Sequence, residues 1–208
     1  MRRQGPSASD QRPATSVCDD PKVLDAAVEA IEEFGYAGLT LARLADAAGT
    51  SRMTLHRRDT TIPAVVAGLS MRAALEMRDA LFPILTADQP ADQRLRGALN
   101  ALCDVADRHL PLLAGLFSDD SGIFHAPADE TGALPTHEVF VAPFAKLLVD
   151  GAADGTLAPQ DDAVEAATVL FNMFGWGYVQ LRHAQLWPHQ RAREGLLELV
   201  MVGLSQRR

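Results

Sequence analysis

Within eight residues, Ser51-Arg52-Met53-Thr54-Leu55-His56-Arg57-Arg58, the chain gathers two hydroxyls, three guanidiniums, an imidazole and a thioether. This set suits binding rather than bond-making. An arginine fork matches guanine O6 and N7 or a phosphate, an apolar side chain meets a thymine methyl, and hydroxyls fix register on phosphate oxygens. Bond-making chemistry has no comparable cluster. No G-x-S-x-G, H-E-x-x-H or phosphate-loop motif occurs. The histidines are scattered at 56, 109, 125, 137, 183 and 189, and His125, Asp129 and His137 share one segment without the spacing of a metal site. No catalytic residue, metal or cofactor is therefore expected, and the protein does not read as an enzyme. An arginine-rich short helix can also be a plain solvated face, so position must decide.

The elements that would position this segment are helical. Asp19 or Asp20 can cap a first helix with Pro21 in its opening turn, and Val23, Leu24, Ala27, Val28, Ile31 and Phe34 follow at helical spacing up to Gly35. Thr40 can cap a short second helix with Leu41, Leu44, Ala45 and Ala48 inward, and Gly49 permits the left-handed backbone of a tight turn. Ser51 opens a third helix, about 51–58, and Thr60 or Thr61 a fourth, about 62–86, with a bend expected near Pro83. Helices at about 91–109, 111–118, 136–153, 161–184 and 188–206 complete an all-α fold of about nine helices, and 119–135 reads as a loop. Residues 1–18 read as a disordered tail whose Arg2, Arg3 and Arg12 could act as a minor-groove arm. The expected organisation is tail 1–18, helix-turn-helix domain 19–65 and a larger helical domain 66–208.

Net charge is −8, which disfavours nucleic acid over most of the surface. Across 39–62, however, Arg43, Arg52, Arg57 and Arg58 oppose only Asp46 and Asp59, a local positive patch. Cys18 and Cys103 form no C-x-x-C pair, and no apolar leader follows Met1, so a reducing cytoplasm is expected. The longest uncharged run, Ala166–Leu181, has 16 residues and contains Asn172 and Gln180, so a buried helix is expected and no membrane partner.

Phe34-Gly35-Tyr36, Leu39-Thr40, Leu44-Ala45, Ala48-Gly49 and Thr54-Leu55 together resemble the DNA-binding domain of the TetR (tetracycline-repressor-like) family, over about residues 22–70. That resemblance implies a ligand-responsive transcription regulator, a repressor, that binds a near-palindromic double-stranded operator as a homodimer. It implies phosphate contacts from Thr40, Ser51, Thr54 and His56, base contacts from Arg52, Met53 and Arg57, and a core role for Leu55. The chain departs from the family pattern at three positions. His56 stands for a tyrosine, Asp59 for a buried phenylalanine and Ile62 for a phosphate-binding lysine. Asp59 is expected to cap the fourth helix in solvent, and Arg43 and Arg58 to add cationic contacts.

The resemblance also implies that the larger domain holds a small effector, and its many large apolar residues suit an apolar one. Candidates for its site are His109, Leu113, Phe117, Phe140, Phe144, Phe171, Asn172 and Tyr178. The mid-helix Phe174-Gly175-Trp176-Gly177 suggests close approach of another helix. Phe174, Gly177, Leu181, Leu196, Val200, Met201 and Leu204 are expected at a four-helix dimer interface. Two other readings stay open: a helical ligand-binding protein with a decayed DNA module, and an all-α enzyme.

Overall fold

A computed structural model describes residues 17–118 and 137–205. The arm formed by Arg2, Arg3 and Arg12, the 119–135 loop, His125 and Asp129 fall outside them. Ten α-helices are present among the described residues: α1 Pro21–Phe34, α2 Leu41–Ala47, α3 Arg52–Arg57, α4 Ile62–Leu85, α5 Ala91–Arg108, α6 Leu110–Ser118, α7 Ala142–Asp154, α8 Ala163–Phe171, α9 Gly177–His183 and α10 His189–Leu204. A π-helical turn at Asn172–Trp176 joins α8 to α9 as one continuous rod, so they make nine rods. A second π turn, His137–Val141, leads into α7.

The first four helices start where oxygen-bearing side chains satisfy free amides. Asp20, Thr40, Ser51 and Thr61 each accept a backbone N–H, from Lys22, Arg43, Thr54 and Ala64 respectively. Asp59 is not a cap. It is exposed in the turn before α4 with φ +52°, a left-handed backbone that Asp tolerates better than most residues. Pro83 is accommodated inside the last turn of α4, and the helix runs on to Leu85.

Two buried clusters form. One collects Leu24, Ala27 and Ile31 of α1, Leu44 and Ala45 of α2, and Leu55 of α3, with Val65, Val66 and Leu69 from the start of α4. It also takes Leu112 and Leu116 of α6. The other begins further along α4 at Ala74, Met77 and Leu81 and fills the space between α5 and α7 to α10. Helix α4 therefore belongs to both clusters. Beside them, the Tyr36 ring lies against α6 at Gly115, where a Cβ would overlap the ring, so only glycine allows this approach. The first cluster also reaches back along the chain, since the Cys18 N–H donates to the Ala64 carbonyl at 2.9 Å.

The mid-helix glycines correct the sequence expectation. A Cβ on Gly175 would meet Leu102 at 3.8 Å, and one on Gly177 would meet Leu196 at 3.6 Å, which are ordinary contacts. No helix crosses closely enough to require them. The distinctive local feature is the π turn itself. Core residues Leu170, Phe174 and Tyr178 are spaced by four, which drifts by roughly 40° per step on a regular α-helix. The extra residue of the wider turn takes back part of that drift.

Polar groups lock α5 to α9 and α10. Asp107 Oδ1 accepts from the Tyr178 hydroxyl at 2.8 Å and from Arg182 Nε at 2.6 Å, and His189 Nδ1 lies 2.5 Å from the same hydroxyl. Burial works against the Asp107 carboxylate, but the hydrogen bonds from Arg182 and Tyr178 outweigh it and hold its pKa below the usual range. Glu76 of α4 is held low in the same way: burial opposes its charge, and bonds from His109 and Arg108 prevail. Cys103 is fully buried, and burial pushes its thiol up to about 12, so it stays a neutral core group.

This packing has measurable consequences for stability. A carboxyl whose folded pKa is depressed stabilises the fold above its unfolded pKa, and that stability is lost as pH falls through the folded value. Asp107→Asn should therefore cost roughly 1–3 kcal/mol at pH 7. The gap to wild type should close only as pH falls below 3.8, the ordinary Asp value. Urea titrations at several pH values measure this, and a gap that closes above about pH 5 would contradict it. On α3, Leu55 is 1% exposed and Met53 76% exposed. Leu55→Ala should cost about 2–5 kcal/mol in the same assay, and Met53→Ala should stay within about 0.5 kcal/mol.

Candidate nucleic-acid interface

Gly49 sets the angle between α2 and α3. Its φ of +61° lies in the left-handed region, and nothing stands within 4 Å of where its Cβ would be, so backbone conformation selects glycine here and space does not. The turn is closed by Gly49 N–H to the Asp46 carbonyl at 3.1 Å and Thr50 N–H to the Ala45 carbonyl at 2.9 Å. Helix α3 then buries a single residue, Leu55. Arg52, Met53, His56, Arg57 and Arg58 are exposed, and Thr54 is half-buried at the edge.

The hydroxyls are prearranged. Ser51 Oγ accepts the Thr54 N–H at 3.1 Å and lies 2.9 Å from Thr54 Oγ1. Two hydroxyl protons serve this pair and one lies between the oxygens, so the second is available to an outside acceptor such as a phosphate oxygen. Thr40 caps α2 through Oγ1, 3.3 Å from the Arg43 amide, and is exposed.

The four arginines divide into two kinds. Arg43 donates from Nη1 to the Gly38 carbonyl at 2.7 Å, and its guanidinium carbon stands 4.3 Å over the Phe34 ring. Arg58 Nη1 pairs with Asp20 Oδ2 at 3.0 Å, while the other oxygen of Asp20 caps α1. These two brace the domain. Arg52 and Arg57 have no ion pair among the described residues and reach solvent. The bracing roles were not legible in the sequence, because the Asp20–Arg58 partners lie 38 positions apart.

The larger domain contains an apolar cavity between α4, α5, α6 and the π turns. Its volume is only about 60 Å³. Three expected effector residues, Leu113, Phe140 and Phe171, line it, and Phe140 stacks on Phe171 at 4.9 Å. Phe117 stands beside it, 5.2 Å from the lining Trp176. The other four are placed elsewhere. Phe144 and Tyr178 are sealed in the core, and His109 Nε2 is 2.6 Å from Glu76. Asn172 is exposed and donates to the Thr168 carbonyl. Ser70, Ala73, Leu102 and Val179 were missed, although Ser70 stands out as a hydroxyl in an apolar stretch of α4.

The expected dimer residues lie at different depths. Phe174 is 0% exposed and Val200 is buried, and Leu181, Leu196, Met201 and Leu204 pack onto the same cluster. Gly177 faces Leu196. The apolar side chains that α8, its π turn and α10 do leave exposed are Val164, Val169, Met173, Leu199 and Val202.

Residues 23–58 match the profile described as "Bacterial regulatory proteins, tetR family". No curated protein sequence matches the chain. Among solved structures, a protein of unknown function from Rhodococcus sp. RHA1 is similar with TM-score 0.68 and 24% identity, over 95% of this chain and 100% of that one. The TetR family transcriptional regulator PfmR from Thermus thermophilus gives 0.69 and 17%, over 88% and 99%. The ketosteroid transcriptional regulator KstR2 of Mycobacterium tuberculosis gives 0.66 and 16%, over 94% and 100%. Among the described residues no helix is long and apolar enough to cross a membrane. The N-terminal helices thus carry the helix-turn-helix domain of the tetR family of bacterial regulatory proteins, and the chain as a whole has the fold of that family's transcription regulators.

Proposed function

We propose that this chain is a ligand-responsive repressor that binds a near-palindromic DNA operator as a homodimer. The observation that carries the reading is α3: capped by Ser51, anchored by Leu55 alone, and presenting Arg52, Met53, His56 and Arg57 to solvent. In this reading Arg52, Met53 and Arg57 read base edges, and His56, Thr54, Ser51 and Thr40 hold the backbone. Arg43 and Arg58 act as struts that keep α3 presented. Two-fold symmetry would set the recognition helices roughly 34–36 Å apart, one turn of DNA.

For the dimer, the exposed Val169, Met173 and Leu199 support a self-complementary face. They border one groove between α8 and α10, so a two-fold axis passing there would bring the same apolar side chains of two copies together. The effector would occupy the apolar cavity and shift the population of half-site spacings. One observation favours a second reading, a ligand-binding protein with a decayed DNA module. Ile62 is half-buried against the first cluster where the family pattern has a phosphate-binding lysine, and Asp59 adds an exposed negative charge after α3.

A gel mobility-shift series with DNA from upstream of the chain's own gene tests the reading. Retardation at low salt that weakens steeply with added salt is expected. Absence of retardation for every fragment, with a ligand still bound, selects the second reading. Arg52→Ala should cost about 1–3 kcal/mol at one base position and relax sequence choice there, whereas Thr54→Ala and His56→Ala should weaken all sequences alike. The reverse pattern would mean that α3 lies the other way in the groove.

The dimer has its own test in sedimentation equilibrium. Leu199→Glu and Met173→Glu should give a folded monomer that no longer retards DNA. A variant that remains a dimer would place the interface on another face.

A further inference from the structure

The apolar cavity contains one chemical irregularity. Ser70 is 2% exposed and lies in the cavity wall, and its Oγ has no hydrogen-bond partner among the described residues. Among the described residues that line the cavity there is no Asp, Glu, Lys, Arg or His. In its wall Phe140 and Phe171 stack nearly parallel, with 26° between their planes. Aliphatic groups of α5, Leu102 and Val105, also line it.

These facts constrain an occupant. A charged ligand would leave water for a wall whose described residues offer no counter-charge, at a large desolvation cost. A ligand with several polar groups would leave most of them without partners. A wholly apolar ligand would leave the Ser70 hydroxyl as it is, buried and unpaired, which is itself costly. A ligand oxygen placed against Ser70 removes that cost, because a hydroxyl offers one proton and two lone pairs. The narrow free space means that such a ligand parts the aromatic wall as it enters.

We propose that this cavity takes an uncharged, mostly hydrophobic ligand bearing one hydrogen-bonding oxygen, and that Ser70 selects for that oxygen. The inference rests on the reading of the larger domain as an effector domain. It adds the chemical class of the effector and the residue that discriminates it.

Calorimetric titration at pH 7 with three matched probes tests this: 1-naphthol, naphthalene and 1-naphthoate. 1-Naphthol should bind about fivefold to tenfold more tightly than naphthalene, the yield of one hydrogen bond, and 1-naphthoate should not bind measurably. Ser70→Ala should abolish the difference between naphthol and naphthalene while leaving naphthalene affinity unchanged. Its thermal melt should match or exceed wild type, since the change removes an unpaired buried group. Gly175→Leu should block both neutral probes, because a side chain there is directed at Leu102 and Phe171 with ordinary clearance at its Cβ.

Equal binding of naphthol and naphthalene to the wild type, a difference that survives Ser70→Ala, preferred binding of naphthoate, or no binding of any probe would each overturn the proposal. The mobility-shift series separates this from the regulator reading. DNA retention without the Ser70-dependent preference defeats only the ligand class, and the preference without DNA retention defeats only the regulator.

Discussion

The seating of Leu55 in the cluster that holds Leu44 and Ala45 is the contact on which the presentation of α3 depends. Six residues are too few to make a stable helix in isolation. Here α3 is held by the Ser51 cap at one end, by Arg58 paired to Asp20 at the other, and by one apolar side chain between. Because only one residue is needed inside, the remaining positions are free to face outward. Asp20 serves twice, capping α1 with one oxygen and fixing Arg58 with the other. The start of α1 and the end of α3 are thereby referenced to each other, and local charge provides rigidity as well as a surface for anions.

Helix α4 connects this face to the rest of the molecule. Its first turns pack with α1 to α3, its later turns pack with α5 and α7, and Ser70 and Ala73 between them border the cavity. Helix α6 repeats the arrangement, with Leu112 and Leu116 in the N-terminal cluster and Leu113 at the cavity. Close-packed interiors transmit displacement instead of absorbing it. Two helices that touch both the cavity and the N-terminal cluster therefore provide a physical route between them. A salt bridge from Glu76 to Arg108 and a hydrogen bond between Glu76 and His109 fasten α4 to the junction of α5 and α6 along that route.

The sequence was most legible where local chemistry decides the outcome. Helix starts at Asp20, Thr40, Ser51 and Thr61 rest on a side chain three or fewer residues from the amide it satisfies, and Gly49 on its own backbone angle. What the sequence does not display is tertiary. Arg43 and Arg58 read as free cations because their partners are a backbone carbonyl, a ring and a distant carboxylate. On α8 and α10 both faces are apolar, so spacing could not separate core Phe174 and Val200 from exposed Met173 and Leu199. The π turn compounds this by changing the helical phase within the segment. Ser70 is visible in the sequence as a hydroxyl in an apolar helix, but its burial without a partner among the described residues is tertiary and has no spacing signature.

The central claim is that the outward side chains of α3 read bases in a DNA groove. Selection from random-sequence DNA with the wild-type protein and with Arg52→Gln tests it most directly. Arginine pairs with guanine and glutamine with adenine. The account predicts a two-fold repeated motif for the wild type and a change from G to A at one symmetric position for the variant. Identical motifs from both proteins, or no enrichment from either, would contradict it.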